Sequence, residues 1–416
     1  MRASWRQLLL LIPTVLAPLA AVESQVVRDS GGVRIIDNRG PGLNAQRAWR
    51  IDRDPVLRIG GEPADTDTLN EVQLVMGITR LTDGRTAVGV QASNAVRFYD
   101  TRGKFVGSAG RRGQGPGEFQ QIMGVWAIRG DTLIVGDLGE LEIFTGAGEF
   151  VTQGASRSRG DRFVFPTSVL TDGSYLGVLR DVAAPPPAGR TRISVPVIHV
   201  SRDGQRVDTI GTYLMQEQVF DGRQRYGVGV AFSGTSIVEG NDRRFFIASP
   251  TKPEIGEYTL SGLQTRLIRL PDRGITTPKE AIQAHRAWFQ TMPGEDGRPM
   301  SPAMKARFAQ MLERTVYAER LPNFGALIVD RSGNLWVQRY DYRSEFRTPG
   351  PVRTQTMPVA SRWDVIGTDG RWICSVELPP RFTPVEIGAD YVAGLARDDD
   401  EVEQVRVYRL RKPTAP

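Results

Sequence analysis

Histidine and cysteine are nearly missing from this chain. Its 416 residues hold two histidines, His199 and His285, and one cysteine, Cys374. A single cysteine rules out an internal disulfide. Two histidines rule out a three-histidine zinc site and leave few candidates for histidine-dependent acid–base chemistry. Lysine is scarce as well. It stands at Lys104, Lys252, Lys279, Lys305 and Lys412, and the other basic residues are arginines. No G-x-S-x-G elbow occurs, so an α/β-hydrolase nucleophile of that kind is excluded. Beyond the N-terminus no apolar run is long enough to span a bilayer.

What is present points to turns. The chain has 45 glycines and 27 prolines, with 40% hydrophobic and 24% charged residues, an ordinary globular balance. Arg2 and Arg6 precede the apolar run Leu8–Val22. A basic start, a short apolar core and small residues after it predict a secretory signal peptide over residues 1–24. An uncleaved membrane anchor is the alternative. Removing residues 1–24, which carry Arg2, Arg6 and Glu23, lowers the formal charge from +6 to +5. The remaining basic residues are interleaved with acidic ones, so nucleic acid is not an expected partner. Export without disulfides suits a bacterial envelope, periplasmic or extracellular. Cys374 sits in the alternating stretch RWICSVEL and is expected to be buried and inert.

A repeated theme organises residues 25–416. Two alternating apolar strands flank a Gly/Asp/Asn turn at Ile78–Val90, Val125–Asp137, Ser168–Leu179, Ser236–Ala248, Ala326–Gln338 and, shortened, Val385–Ala396. Each carries a hairpin signature. After the first five copies a second hairpin follows, as in VRFYDTRGKFVGSAG and RWDVIGTDGRWICSV. After the sixth only QVRVYRL, Gln404–Leu410, follows. Four strands per unit and six units predict an all-β fold, a six-bladed β-propeller. The last blade then needs an outer strand from the N-terminus. Gly32–Asn38 and Ala48–Gly60 are the candidates.

One region departs from the rhythm. Thr277–Gln290 reads as a helix, with Thr277 and Glu280 as a capping box and Pro278 at the first position. A second helix starts at Ser301–Pro302 and ends before Pro322. Its Met304, Phe308, Met311 and Leu312 share one face. A helical hairpin, residues 277–322, is therefore inserted between blades 4 and 5.

The stretch GRRGQGPGEFQQ, Gly110–Gln121, raises the question of phosphate binding. It has G-x-G-x-G rather than G-x-G-x-x-G, no lysine follows, and Pro116 lacks an N–H. A strand pair comes next instead of a helix, so the segment reads as a crossover between blades, with Phe119 packed between them. The pattern GRxGxGPGEF, the preceding FYDTRGKFV and the core NFGALIVDRSGNLWVQRY with Trp336 resemble NHL-like six-bladed β-propeller proteins of bacteria. The resemblance covers most of Ile51–Leu410. It implies the fold and leaves the activity open, because such propellers include scaffolds, sensors and a few enzymes.

The candidate binding residues are Arg111 and Arg112 in the crossover, and His285, Arg286, Trp288 and Phe289 on the first inserted helix. Arginine and aromatic residues recur at interface hot spots. The plainer readings are an exposed arginine pair, a packing role for His285 and a cover over a blade edge for Trp288. His199 lies in the strand VPVIHVS and reads as structural. Asp83, Asp172 and Asp330 lie in turns, where Asp bonds its own backbone, and Asp398–Glu401 reads as a solvated hairpin tip. No catalytic residue, metal ligand or cofactor is assigned. The reading is a monomeric, exported propeller that binds a protein, glycan or small ligand. The alternative is a lactonase-like hydrolase, resembling propellers that use Glu, Asn and Asp around calcium at the channel.

Overall fold

The computed structural model describes residues 25–42, 48–61, 72–137, 140–154, 163–180, 186–223, 227–291, 300–345, 361–398 and 402–413. The expected signal segment lies outside them. The described chain is mostly β-structure, in six sheets that are antiparallel except for one parallel edge pairing, with two inserted helices.

The first sheet is Val75–Arg80, Thr86–Val90, Ala95–Tyr99 and Phe105–Ala109. The second is Gly124–Ala127, Leu133–Asp137, Glu140–Phe144 and Phe150–Gly154. The third holds Phe163–Val169, Tyr175–Arg180 and two long strands, Gly189–Val200 and Val207–Phe220, with Val228–Gly229 at its edge. The fourth is Ile237–Asn241, Arg244–Ala248, Glu254–Thr259 and Gln264–Arg269, and the fifth is Phe324–Val329, Leu335–Arg339, Arg362–Ile366 and Trp372–Glu377. The sixth is Phe382–Ile387, Tyr391–Arg397 and Glu403–Arg411. All six expected hairpins are present.

Both N-terminal candidates form strands, but they go to different places. Leu57–Ile59 and Arg50–Ile51 pair with Glu403–Arg411 and complete the sixth sheet. Val33–Asn38 instead runs parallel to Gln264–Arg269, and Gln25–Ser30 covers it, extending the fourth sheet to six strands.

The turns explain the hairpins. Gly84, Gly173 and Gly333 adopt φ of 87°, 86° and 85°, the left-handed residue that a three-residue hairpin loop needs. Ahead of them, Asp83, Asp172 and Asp330 accept the amides of Arg85, Ser174 and Ser332 at 2.9, 2.8 and 2.9 Å. Asp330 also takes the Trp336 indole N–H at 3.1 Å. These aspartates do turn chemistry, as the sequence predicts.

The core is divided among the gaps between sheets. Leu81, Phe98, Val125 and Phe144 join sheets one and two; Ile134, Val164 and Tyr175 join two and three. Val178, Val238 and Phe245 join three and four; Phe246, Ile268 and Leu335 join four and five. Trp336, Trp363 and Tyr408 join five and six. Ile59, Val88, Val405 and Leu395 join six back to one. The apolar contacts therefore run in a closed circuit, which is a propeller-like arrangement. The first strands of the sheets lie innermost: those of sheets three, four, five, six, one and two touch in that succession. Cys374 is buried in the cluster between sheets five and six, and burial pushes its thiol up to about 11. It is an inert core residue, as expected.

The two faces of the ring differ. One carries short turns, such as residues 81–85, 100–104 and 145–149. Carboxylates tie neighbouring turns there: Asp131 accepts the Thr82 amide at 2.9 Å, and Asp242 accepts that of Thr171 at 2.6 Å. The other face carries the crossovers, the ends of the two long third-sheet strands and the helical insertion.

Candidate functional site

The insertion is two helices, α1 at Lys279–Thr291 and α2 at Pro302–Glu313. α2 starts as the sequence predicts. The Ser301 side chain accepts from the Met304 amide at 3.2 Å, with Pro302 in the first turn. At α1 the outcome differs, because the Thr277 hydroxyl donates to the Ala318 carbonyl. Thr277 therefore ties the helix entry to the returning chain. Backbone bonds fix the base of the insertion on the chain that leaves the third sheet. Ala231 donates to Val316 at 2.8 Å, Ala318 to Ala231 at 2.9 Å and Thr277 to Glu319 at 2.9 Å. A small apolar core of Val230, Phe232, Ala281 and Ala318 closes the joint. Beneath it, the Arg192 guanidinium caps the carbonyls of Met215, Ser233 and Gly234.

His285, Arg286, Trp288 and Phe289 gather on α1. The His285 ring is 7% exposed and stands 5.2 Å from Phe232, 4.9 Å from Phe289 and 5.6 Å from Tyr317. Its Nδ1 lies 3.2 Å from the Tyr317 hydroxyl. Burial, helped by the charge of Arg286, lowers its pKa to about 4. A neutral imidazole in an aromatic cluster is a packing group. Arg286 is exposed and lies over Tyr317 at 5.9 Å. Trp288 and Phe289 are half-buried, 4.7 Å apart, and Phe289 reaches Phe308 of α2 at 5.7 Å.

α2 forms as expected, but the four residues placed on one face differ in burial. Of Met304, Phe308, Met311 and Leu312, only Leu312 is buried and Phe308 is half-buried. Met304 and Met311 are 43% and 41% exposed. The helix rests on Leu312 and Phe308, and the methionines turn away from that support. At helical spacing Met304, Arg307, Met311 and Arg314 share one exposed flank. Exposed charges on the two helices are Lys279, Arg286, Lys305, Arg307 and Arg314 against Glu280 and Glu313, so the surface is basic as well as apolar.

Arg111 and Arg112 lie elsewhere, in the crossover from the first sheet to the second, and both are exposed. The Arg111 guanidinium pairs with Glu118 at 2.8 Å. The amides of Gln114 and Gly115 donate to Glu118 at 3.1 and 3.0 Å. Gly117 donates to Glu142, and Gln120 and Gln121 donate to Asp137. The loop's own N–H groups are thus taken by the protein's carboxylates, which removes the donors a phosphate would need. Phe119 is fully buried against Phe144, so this is a crossover pinned between two sheets.

The axis holds groups that the sequence did not single out. Glu239 is on the innermost strand of the fourth sheet, partly exposed yet surrounded by protein. Burial raises its pKa to about 8, opposed by a hydrogen bond from Ser168. At the short-turn mouth, Glu386 collects four donors. Its Oε1 accepts the Arg80 amide at 3.2 Å and the Tyr391 hydroxyl; its Oε2 accepts the Thr79 hydroxyl at 2.6 Å and Arg331 at 3.0 Å. The Tyr391 phenol is raised by burial and by the Glu386 charge. Among the described residues, no group of three His, Cys, Asp or Glu side chains is placed to hold a metal ion. His199 lies in a third-sheet strand, 3.0 Å from the Ser174 hydroxyl, and burial lowers its pKa. No helix among the described residues is long and apolar enough to cross a membrane.

No family model matches the chain, and no curated protein matches it. A member of the DUF4221 family from Bacteroides vulgatus is similar over 88% of this chain and 100% of that one, at 10% identity and a TM-score of 0.48. Virginiamycin B lyase from Staphylococcus aureus is similar over 88% of this chain and 100% of that one, at 12% identity and a TM-score of 0.38. A gluconolactonase from Xanthomonas campestris is similar over 89% of this chain and 99% of that one, at 12% identity and a TM-score of 0.41.

Proposed function

We propose that this chain is an exported, six-bladed, NHL-like β-propeller that works as a protein-binding module through its helical insertion. The six sheets and the closed circuit of core clusters support the blade count. The observation that carries the binding reading is the exposed flank of α2, where Met304 and Met311 alternate with Arg307 and Arg314. Methionine and arginine are both enriched at protein interfaces, and methionine adapts to varied partners. On α1, exposed Arg286 and half-buried Trp288 offer a further arginine and aromatic group on the insertion. The partner it fits is a protein segment with apolar and acidic side chains. Rigid backbone anchoring of the insertion keeps the ordering entropy of docking small. A calcium-dependent hydrolase is the second reading; among the described residues no three His, Cys, Asp or Glu side chains gather to hold the ion, so the helical insertion is the better-supported site.

The test compares wild type with Met304→Glu/Met311→Glu and with Arg111→Glu/Arg112→Glu as bait for envelope extracts. The methionine pair is exposed, so its replacement should leave the thermal midpoint nearly unchanged. A partner held by wild type, weakened by ~0.5 M salt, lost in the methionine variant and kept in the arginine variant is the expected result. Identical retention by wild type and the methionine variant would end this reading.

A further inference from the structure

We infer that the short-turn mouth of the axis holds a small oxyanion, a carboxylate or a phosphate, on the guanidinium of Arg80. Arg80 closes the innermost strand of the first sheet, Val75–Arg80. Its guanidinium stacks over the Tyr391 ring, 4.8 Å from the centroid. Its Nη2 reaches only the Gly84 carbonyl, at 3.4 Å, and its Nε is buried without a hydrogen-bond partner. Two other described arginines, Arg266 and Arg397, also bury an unpartnered Nε. Both are nonetheless neutralised, by Glu257 at 2.6 Å and Glu403 at 2.7 Å. Arg80 has no carboxylate within ion-pair distance among the described residues.

The nearest acid shows why. Glu386 has two oxygens with room for about four donors. Thr79, Tyr391, Arg331 and the Arg80 backbone amide already fill them. The side-chain charge of Arg80 is thereby left over, on an aromatic face at the mouth of the ring. A buried polar group without a partner calls for a missing water or ion. A planar, always-charged fork selects a carboxylate or phosphate. Arg331, whose side chain is 42% exposed, is neutralised by Glu386 and donates to the Arg80 carbonyl, so the uncompensated charge at the rim is that of Arg80. This site is on the face opposite the helical insertion and is independent of it.

The experiment is isothermal titration of the full folded chain, in low-salt zwitterionic buffer, with inorganic phosphate and separately with acetate. Saturable binding of at least one anion is expected, weakened about tenfold or more by Arg80→Met and unchanged by Arg112→Met. The tighter of the two anions assigns the ligand's headgroup. Should Arg80→Met fold poorly, Arg80→Lys keeps the charge and stem but loses the fork, and about tenfold weaker binding is expected for it. The inference is overturned if neither anion saturates wild type below about 10 mM, or if a folded Arg80 variant binds as wild type does.

Discussion

Glu239 shows how far a single residue can depart from what its neighbourhood in sequence suggests. In SIVEGNDRRFFIA it reads as the polar member of an alternating strand. In the structure it is an acid on the axis, with the Ser168 hydroxyl and the Gly240 amide as its donors. Nothing local in the sequence marks which strand of a sheet is innermost, so neither Glu239 nor Arg80 was legible there. The turn aspartates were legible, because Asp83 and Asp330 bond within two residues of themselves. The raised pKa has a consequence for stability. Unfolded, Glu239 ionises near 4.5; folded, it keeps its proton up to about 8. Between those values the native state binds the extra proton, so stability falls as pH rises through that window and levels off above it. Glu239→Gln keeps the shape and removes the titration. Urea unfolding should find the variant more stable than wild type at pH 9, by roughly 2 kcal/mol, with that advantage gone at pH 4.5. An advantage equal at both pH values would contradict the buried-acid assignment.

At the scale of elements, the hairpins and the α2 start were readable because their signals are local: alternation, turn glycines, and Ser301–Pro302. The environment of α2 was not. Periodicity says which face of a helix is apolar, not what covers it, and here Leu312 is buried while Met304 stays in solvent. The insertion also carries its own pH response through His285. In an unfolded chain this imidazole protonates near 6.5, whereas in the docked insertion it protonates near 4. Its contribution is complete above pH 6.5 and is lost as pH falls from 6.5 towards 4, because the loosened state takes the proton first. Acid should therefore loosen the insertion by up to roughly 2 kcal/mol while the sheets hold. Hydrogen exchange, corrected for intrinsic rates, should show α1 amides losing protection at pH 4.5 relative to pH 7, and strands such as Leu133–Asp137 keeping theirs. His285→Phe should abolish the difference. Equal loss in helix and strands would show that the histidine senses global unfolding instead.

For the whole molecule, the decisive contact is the one that closes the circuit. The repeat strands of sheets one to five each come from consecutive chain, with the N-terminal pair Gln25–Ser30 and Val33–Asn38 added only at the edge of the fourth, so their order follows from the repeats. The join of six to one instead depends on a short segment, Leu57–Ile59, far in sequence from its partner Val405–Val407. Gly32–Asn38 and Ala48–Gly60 were equal candidates because both alternate as strands do, and only the packed fold separates them. Ile59 is 1% exposed and packs with Val88, Val405 and Leu395 across the seam. Val27 is on the outermost strand of the fourth sheet and only half-buried. If the ring behaves as one cooperative unit, the seam should matter far more than the edge, although both are N-terminal strands. Ile59→Ala should lower the unfolding free energy by about 3 kcal/mol and shift a single transition seen alike by fluorescence and circular dichroism. Val27→Ala should cost under about 1 kcal/mol. A seam variant that splits the transition, or shifts it no more than Val27→Ala, would mean that the six sheets are held as a stack of neighbours and not as a closed ring.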